Sequence, residues 1–379
     1  PNRAIAPYAY AELSTSHLNS PTAVAQTTPV RHDPLPRETP AMPLPITNPA
    51  PPFAVTRTGH VVLRVKDLAA SRRFYTEVTD LLVSDETADT VWLRGVEEAA
   101  HHSLVLKHTT GESVCERIGL RVATDRDIEQ AHAHFSNIGR SVRIVEVPHQ
   151  GPTLQVADAV GVPLELTARM HPRQPRHHHH PHLHKGAAAL RLDHVQILAP
   201  DVETAGRFYT DLGFRVSDYF VTAADKTKPL GLFLYRKNNP HDVVCLTRPG
   251  PVLHHFAFVV ADASHIFRAL DWSAAVGFSG IIERGPGRHG QGHQLYAYLR
   301  DPDGHRVEIL PPPIQMGDAD DAPTMHDRPG SGSWELPPPK SWLFEASRFA
   351  DVPVTGTLGE TGFFSLEDHL ARRGVKPPA

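Results

Sequence analysis

Cysteines and long apolar runs are scarce in this chain of 379 residues. It has two cysteines, Cys115 and Cys245, and both lie in strand-like apolar stretches. Two cysteines cannot form a disulfide framework, so we expect a reduced protein in the cytoplasm. No apolar run approaches the roughly 18 residues that a membrane helix needs. The first residues also lack the apolar core of a secretory signal, so we expect neither a membrane span nor a leader.

An excess of charge of one sign is absent as well. The chain has 38 basic and 42 acidic residues, which gives a formal net charge of −4. Such a balance argues against nucleic-acid and membrane-surface partners, since both require clusters of positive charge. We therefore expect the partner to be a small molecule.

Two segments have little that could form a core. Residues 1–52 hold twelve of the 36 prolines and few large apolar side chains, which predicts a disordered extension. Residues 171–189 include six histidines within 177–184. This stretch could collect metal, but the alternative, a flexible linker between two domains, is favoured because consecutive histidines offer no defined open site.

Between these segments one pattern recurs four times, namely a strand, a helix and three further strands. The units begin near residues 58, 117, 191 and 254, with Asp67 and Asp201 as predicted helix caps. Each unit has an open sheet, so two must pair to form a cupped, barrel-like surface. We therefore predict an α+β protein with an N-terminal module at 53–170, a C-terminal module at 190–312 and a tail or lid at 313–379. This design resembles the vicinal-oxygen-chelate fold, in which each module is an open barrel.

A set of metal ligands is predicted in the C-terminal module. Side chains alternate between the faces of a strand, and alternation with apolar neighbours places His194, His255 and Glu308 on polar faces. Parity favours His255 over the adjacent His254. Two histidines and one carboxylate with open positions opposite are the ligand set of non-haem Fe(II) oxygen chemistry, and Mn(II) accepts the same set. Read singly, each histidine could be a surface or core residue.

The motifs around these residues resemble those of type I extradiol catechol dioxygenases, most closely the group that includes homoprotocatechuate 2,3-dioxygenase. The similar runs are LDH at 192–194, HHFAF at 254–258, IERGPGRHG at 282–290 and DPDGHRVE at 301–308. The resemblance implies that His241 is the acid–base catalyst and that Tyr298 hydrogen-bonds a substrate oxygen. It implies that Arg284 and His289 line the substrate side, on what the glycines predict to be a tight turn. O2 would be the second substrate, and a catechol the first.

The N-terminal module holds His60, Arg117 and Glu165 where the C-terminal module holds its predicted ligands. A guanidinium cannot ligate a cation and repels one. We therefore predict that the N-terminal module is a metal-free scaffold, which supports the catalytic module and supplies contacts of a homo-oligomer, either a dimer or a tetramer.

Three departures from the family concern the substrate. The adjacent arginine pair of relatives that take carboxylated catechols is absent, with only Arg328 nearby. Gln196 replaces an asparagine two positions after the first ligand, and Phe233 replaces a tryptophan of the pocket wall. Together they indicate a less anionic or differently shaped catechol. His254 is expected behind the metal ligands, and His305 and Arg306 are expected to face solvent.

Two alternatives remain open on the same fold. A metal-dependent isomerase or lyase would keep the three ligands without needing His241 and Tyr298 together. A non-catalytic binding module would not need three ligands on one face.

Overall fold

The computed structural model describes residues 44–176, 180–327, 334 and 338–356. The predicted extension up to residue 43, the histidines at 177–179 and Arg328 lie outside the described residues. Within the described ranges, no helix is long and apolar enough to span a membrane.

The first module consists of two units of strand, helix and three strands. Its elements are β1 (Val55–Val65), α1 (Leu68–Glu77), β2 (Leu82–Glu86), β3 (Thr90–Arg94), β4 (Leu104–His108), β5 (Val114–Val122), α2 (Asp125–Asn137), β6 (Val142–Glu146), β7 (Pro152–Ala157) and β8 (Pro163–Thr167). The strands form one eight-stranded sheet in the order β2-β3-β4-β1-β5-β8-β7-β6. The two units join through the antiparallel pair β1 and β5 at the middle of the sheet.

The second module repeats this arrangement. Its elements are β9 (Arg191–Ala199), α3 (Val202–Asp211), β10 (Arg215–Phe220), β11 (Gly231–Tyr235), β12 (Val243–Thr247), β13 (Val252–Val259), α4 (Ala263–Ala275), β14 (Ile282–Arg288), β15 (Leu295–Arg300) and β16 (Arg306–Leu310). These strands run in the order β14-β15-β16-β13-β9-β12-β11-β10. The predicted α+β class with two paired units per module is therefore confirmed.

The tail extends the second sheet. It contains β17 (Thr324–His326), α5 (Lys340–Phe344) and β18 (Ser347–Arg348), with β17 beside β10 and β18 beside β13. Three single turns of 3-10 helix complete the described elements, at Pro181–Leu183, Ser279–Ile281 and Gln291–His293.

Local sequence explains where the helices begin. The side chain of Asp67 accepts a hydrogen bond from the Ala70 amide at 2.9 Å, and Asp201 accepts one from Thr204 at the same distance. Each cap satisfies an amide that has no partner within its helix. Both predicted caps are therefore observed.

The two modules exchange a matching pair of buried contacts. Tyr75 on α1 donates a hydrogen bond to Asp301 of the second module at 2.9 Å. Tyr209 on α3 donates one to Asp158 of the first module at 3.2 Å. All four side chains are buried, and one hydrophobic core continues through both modules. The internal repeat of the sequence therefore also appears in the contacts between the modules, as two equivalent tyrosine–aspartate hydrogen bonds.

Two segments expected to be loose are fixed in part. Thr47 donates to the Phe214 carbonyl at 2.8 Å and the Asn48 amide donates to the Thr210 carbonyl, so this segment contacts the second module although Ile46 is exposed. At the end of the predicted linker, Ala187 and Ala189 are buried and bond to backbone carbonyls of the first module. The small alanine side chains allow this close approach. The same small side chains made the composition look like that of a flexible linker.

The run 282–290 also differs from its prediction as a tight turn. Residues Ile282–Arg288 form β14, which pairs with β15 through two register shifts, and the turn follows at 289–294. Gly285 makes this possible, since its φ of +97° is unfavourable for other residues and a Cβ there would lie 2.8 Å from the Tyr296 carbonyl.

Candidate metal centre

The three predicted ligands lie on adjacent strands of the second sheet. His194 is on β9, His255 on β13 and Glu308 on β16, and all three are buried. The Nε2 atoms of the two histidines are 3.2 Å apart, and each is 3.2 Å from Glu308 Oε2. One oxygen and two nitrogens therefore form a nearly equilateral triangle.

This triangle has the dimensions of one face of an octahedron. Ligand atoms about 2.1 Å from a common centre and at right angles to one another are about 3 Å apart. The donor set and its spacing therefore fit a divalent ion that keeps three positions open on the cavity side. Such a face is the arrangement typical of non-haem Fe(II) oxygenases.

Supporting hydrogen bonds orient His194. Its Nδ1 lies 2.8 Å from Asp193 Oδ2, which leaves Nε2 free to act as a ligand. Asp193 Oδ1 accepts a hydrogen bond from Asn239 at 2.6 Å, and Lys237 lies 3.8 Å from the same oxygen. Burial alone would raise the pKa of Asp193, but Lys237 and His194 outweigh it and lower the pKa below its usual value. Asp193 is thus held as a carboxylate.

His254 lies behind His255. The Nδ1 atoms of the two rings are 2.7 Å apart, and His254 Nε2 donates to the Trp342 carbonyl at 2.7 Å. This contact ties the α5 segment of the tail to the β13 ligand. The position agrees with the supporting place expected for His254, and its role remains a prediction.

Glu308 and His255 have the protonation states in which such groups bind metals. Burial alone would raise the pKa of Glu308, but hydrogen bonds from His194, His255 and His289 lower it well below the usual range. For His255, burial outweighs the contact with Glu308 and lowers the pKa to about 4. The site thus offers an ionised carboxylate and a neutral imidazole, the forms in which both groups bind metals.

His241 and Tyr298 face the same cavity. The His241 ring is buried, with its centroid 4.2 Å from that of His194 and 5.4 Å from that of Phe233. Within the described residues, His241 Nδ1 has no hydrogen-bond partner. Tyr298 pairs with Glu308 across β15 and β16, and its hydroxyl lies 2.9 Å from His289 Nε2. Burial raises the pKa of Tyr298 well above its usual value, so it can donate a proton in a hydrogen bond.

A cavity of about 610 Å³ opens from the ligands. All residues predicted to bind substrate line it, namely Arg284, His289, Gln196 and Phe233. The guanidinium of Arg284 lies 4.0 Å from the Trp342 ring centroid and within 6 Å of the Tyr296 and Tyr298 rings. An aromatic cage therefore holds this cation, and His289 stacks on Tyr296 beside it at 3.8 Å.

Some residues of the site were not found from the sequence. Trp342 lines the cavity although it lies 34 positions after Glu308, and His326 lines it from β17. Both come from a tail with weak periodicity, and long-range contacts place them here. The strand β17 pairs with β10, and the Trp342 carbonyl accepts a hydrogen bond from His254. Asp193 belongs to the LDH motif at 192–194, so its position next to His194 could have indicated its supporting role.

The expectation that His305 and Arg306 face solvent is wrong. Both are 1% exposed. Arg306 bonds Glu283 at 2.5 and 3.0 Å and donates to the His254 carbonyl at 2.8 Å, so its charge is neutralised inside the module. An arginine in a strand that is covered on both faces can be buried when it has such partners, which alternation does not reveal.

In the first module, the matching positions hold a different chemistry. In the strand pairing of the first module, Arg117 lies opposite Val62, and in the second module His255 lies opposite the equivalent Gln196. In the same way, Glu165 lies opposite Gly119, and Glu308 lies opposite the equivalent Ala257. His60 Nε2 lies 2.5 Å from Glu165 Oε1, so the two groups contact each other directly. The alignment that places Arg117 opposite His255 thus agrees with the strand register.

A second group of metal-type side chains lies in the first module. Asp85, His101 and His149 have ligand atoms within 4.8 Å of one another. The two imidazoles are stacked nearly parallel with ring centroids 3.9 Å apart, and Arg173 Nη2 lies 3.3 Å from His101 Nε2. Stacked rings direct their lone pairs side by side, and the guanidinium opposes a cation, so this group has poor geometry for one ion.

Comparison with known proteins agrees with this geometry. The model of the glyoxalase/bleomycin resistance protein/dioxygenase superfamily matches residues 57–166 and 191–309. The structure of an extradiol ring-cleaving dioxygenase from B. fuscum is 31% identical, with a TM-score of 0.76, and the match covers 84% of this chain and 90% of that one.

Two further relatives are similar over most of their length. Homoprotocatechuate 2,3-dioxygenase from Arthrobacter globiformis is 30% identical, with a TM-score of 0.77, over 83% of this chain and 100% of that one. A manganese-dependent 2,3-dihydroxybiphenyl 1,2-dioxygenase from Geobacillus genomosp. 3 is 24% identical over 68% of this chain and 85% of its own. The chain therefore belongs to the glyoxalase/bleomycin resistance protein/dioxygenase superfamily and, within it, to the extradiol ring-cleaving dioxygenases.

Proposed function

We propose that the protein cleaves the ring of a catechol next to its two hydroxyls, using O2 and one Fe(II) or Mn(II) held by His194, His255 and Glu308. The observation that carries the proposal is the 3.2 Å triangle of ligand atoms at the end of a cavity that also contains His241 and Tyr298. When bound, the metal ion would acidify and chelate the two catechol oxygens and bring O2 beside them.

The protein's own residues position the substrate and move its protons. Both oxygen atoms enter the open-chain semialdehyde, so no atom is lost and protons only change places. His241 lines the cavity beside His194, and its imidazole can donate a proton to oxygen and take it back. Tyr298 can donate a hydrogen bond to the substrate oxygen at the carbon under attack, while His289 fixes the direction of its hydroxyl.

The cavity wall keeps bulk water from the reacting ring. Phe233, Val244 and Trp342 surround the polar groups, and all three line the cavity. Removing water strengthens the hydrogen bonds of His241 and Tyr298 and limits release of partly reduced oxygen.

The assembly and location are part of the same proposal. We expect a homo-oligomer, either a dimer or a tetramer, that works in the cytoplasm. Support for the location comes from Cys115 and Cys245, which are both buried free thiols. Sedimentation of the metal-loaded protein would decide between the oligomeric states.

Anaerobic loading with Fe(II) or Mn(II), followed by catechol and then O2, tests the activity. We expect one O2 consumed per catechol and a yellow ring-opened product. Catechol binding without O2 uptake would indicate a binding protein. A product formed without O2 would indicate an isomerase or lyase.

A further inference from the structure

The cavity is larger than a single catechol ring requires. At about 610 Å³ it lies in the range of sites for drug-sized ligands. Part of its lining consists of apolar side chains from three neighbouring strands and their loops. They are Phe220, Val221, Leu230, Phe233, Val244 and Leu246. A small catechol bound at the metal ligands would leave this wall in contact with water, which costs hydrophobic free energy.

Two buried carboxamides in the same cavity have donors without acceptors. Gln196 is 6% exposed and Gln294 is 5% exposed. Within the described residues, the Nε2 atom of neither has a hydrogen-bond partner. A buried donor without an acceptor is destabilising, so a ligand that supplies an oxygen recovers free energy.

A hydrogen-bonded turn fixes the position of Gln294. Its carbonyl accepts a hydrogen bond from the His289 amide at 2.8 Å, which closes the turn at 289–294. Gly292 within this turn has a φ of +57° and lies against Pro240, the residue before His241. The turn therefore lies beside the loop that carries His241, and Gln294 lines the same cavity.

We propose that the substrate is a catechol with a bulky, largely apolar substituent that carries one oxygen acceptor, and that Gln294 determines specificity by donating to this oxygen. The apolar part lies against the wall formed by Phe220, Leu230 and Leu246. This inference rests on the proposed ring-cleaving function and names the substrate class of the same cavity.

Two catechols of equal size test the proposal, one with a benzyl and one with a benzoyl substituent para to a hydroxyl. They differ in a CH2 group against a C=O group, so only the second offers an acceptor. Affinities are measured anaerobically on the metal-loaded protein by quenching of tryptophan fluorescence, with unsubstituted catechol as reference. Ring cleavage of the reference is measured separately, so failure of the proposed function is recognised independently.

Both substituted catechols should bind about ten- to a hundredfold more tightly than the reference, through burial of the added ring. Gln294→Leu should reduce the preference for benzoyl over benzyl by about three- to tenfold. Leu246→Trp, which fills the apolar end, should reduce the preference for either over the reference. Gln130→Leu, on the exposed face of α2, is the matched control and should leave both ratios as in the unmodified protein.

Equal affinity for the reference and the substituted catechols would overturn the apolar subsite. An unchanged ratio of benzoyl to benzyl in Gln294→Leu would overturn the role of Gln294, since water would then satisfy its donor equally well. If one variant fails to fold, the other and the size series still decide each part.

Discussion

His102 in the first module and His241 in the second occupy the same strand position. His102 lies two residues before Leu104, the first residue of β4, which pairs with Val61 next to His60. His241 lies two residues before Val243, the first residue of β12, which pairs with Val195 next to His194. The first module thus retains counterparts of His194, His241 and Glu308, and the strand register gives it Arg117 in place of His255. Of the three ligand positions, the one that His255 occupies is therefore the one where the first module has a side chain that cannot bind a metal.

Replacing His241 with asparagine should separate binding from oxygen chemistry. His241→Asn should keep the metal and the catechol, because His241 is not among the three ligands of the triangle. Turnover should fall by about a hundredfold or more, the usual contribution of general acid–base catalysis, or hydrogen peroxide should be released. Stopped-flow absorbance and a peroxide assay measure both effects. Unchanged turnover and coupling would remove His241 from the mechanism.

A carboxylate on the substrate should lower kcat/KM for this protein, whereas relatives with an arginine pair take carboxylated catechols. Losing a charge-assisted contact to a carboxylate costs on the order of 1.5–3 kcal/mol. That is roughly tenfold to more than a hundredfold in affinity, at about 1.4 kcal/mol per decade. Arg284 lies over Trp342 in an aromatic cage, which already stabilises its charge.

Neutral alkyl-, halo- or hydroxy-substituted catechols should therefore have higher kcat/KM than homoprotocatechuate. The comparison is made at one ionic strength, because long-range attraction varies with salt. A clear preference for the carboxylated catechol would show that Arg284 or another cation serves as its partner.

Stability should depend on pH through Asp158. Burial raises the pKa of Asp158 from 3.8 to about 6, although the Val162 and Val160 amides, Tyr209 and Arg140 each lower it. The folded protein therefore binds this proton more tightly than the unfolded chain. The stabilisation is complete below pH about 4 and is lost as pH rises through about 6, by up to about 3 kcal/mol.

Urea unfolding of the metal-free protein between these pH values measures this loss. Asp158→Asn should flatten the dependence, whereas Asp271→Asn on exposed α4 should leave it as it is. An identical pH dependence in Asp158→Asn and the unmodified protein would contradict the assignment.

Arg306 should require its partner Glu283. Both side chains are buried and bonded at 2.5 and 3.0 Å. Burial alone would raise the pKa of Glu283, but the contacts with Arg306 outweigh it and the pKa is lowered to about 2. Glu283→Gln leaves a buried guanidinium without its main counterion and should lower the free energy of unfolding by about 3–5 kcal/mol. Thermal unfolding tests this, and a change below about 1 kcal/mol would show that the backbone carbonyls of His254, Ser341 and Glu345 suffice for Arg306.

The sequence was most informative where periodicity and spacing are strict. The four repeated units, the two helix caps and the polar faces of β9, β13 and β16 follow from local rules, so the triangle of His194, His255 and Glu308 was predictable. Trp342 was not, because a tail with few periodic residues reaches the cavity through long-range contacts, such as the hydrogen bond from His254 to the Trp342 carbonyl. The burial of Arg306 was not, because alternation cannot distinguish solvent from a buried counterion.

Metal analysis tests the central claim most directly. The protein is loaded anaerobically with Fe(II), after the histidines within 177–184 have been replaced by serine, and the tightly bound ions per chain are counted. We predict one ion per chain, none in His255→Arg, which copies Arg117 into the second module, and one in the control Glu165→Gln. Two ions per chain, or an ion retained in His255→Arg, would contradict the assignment of this site.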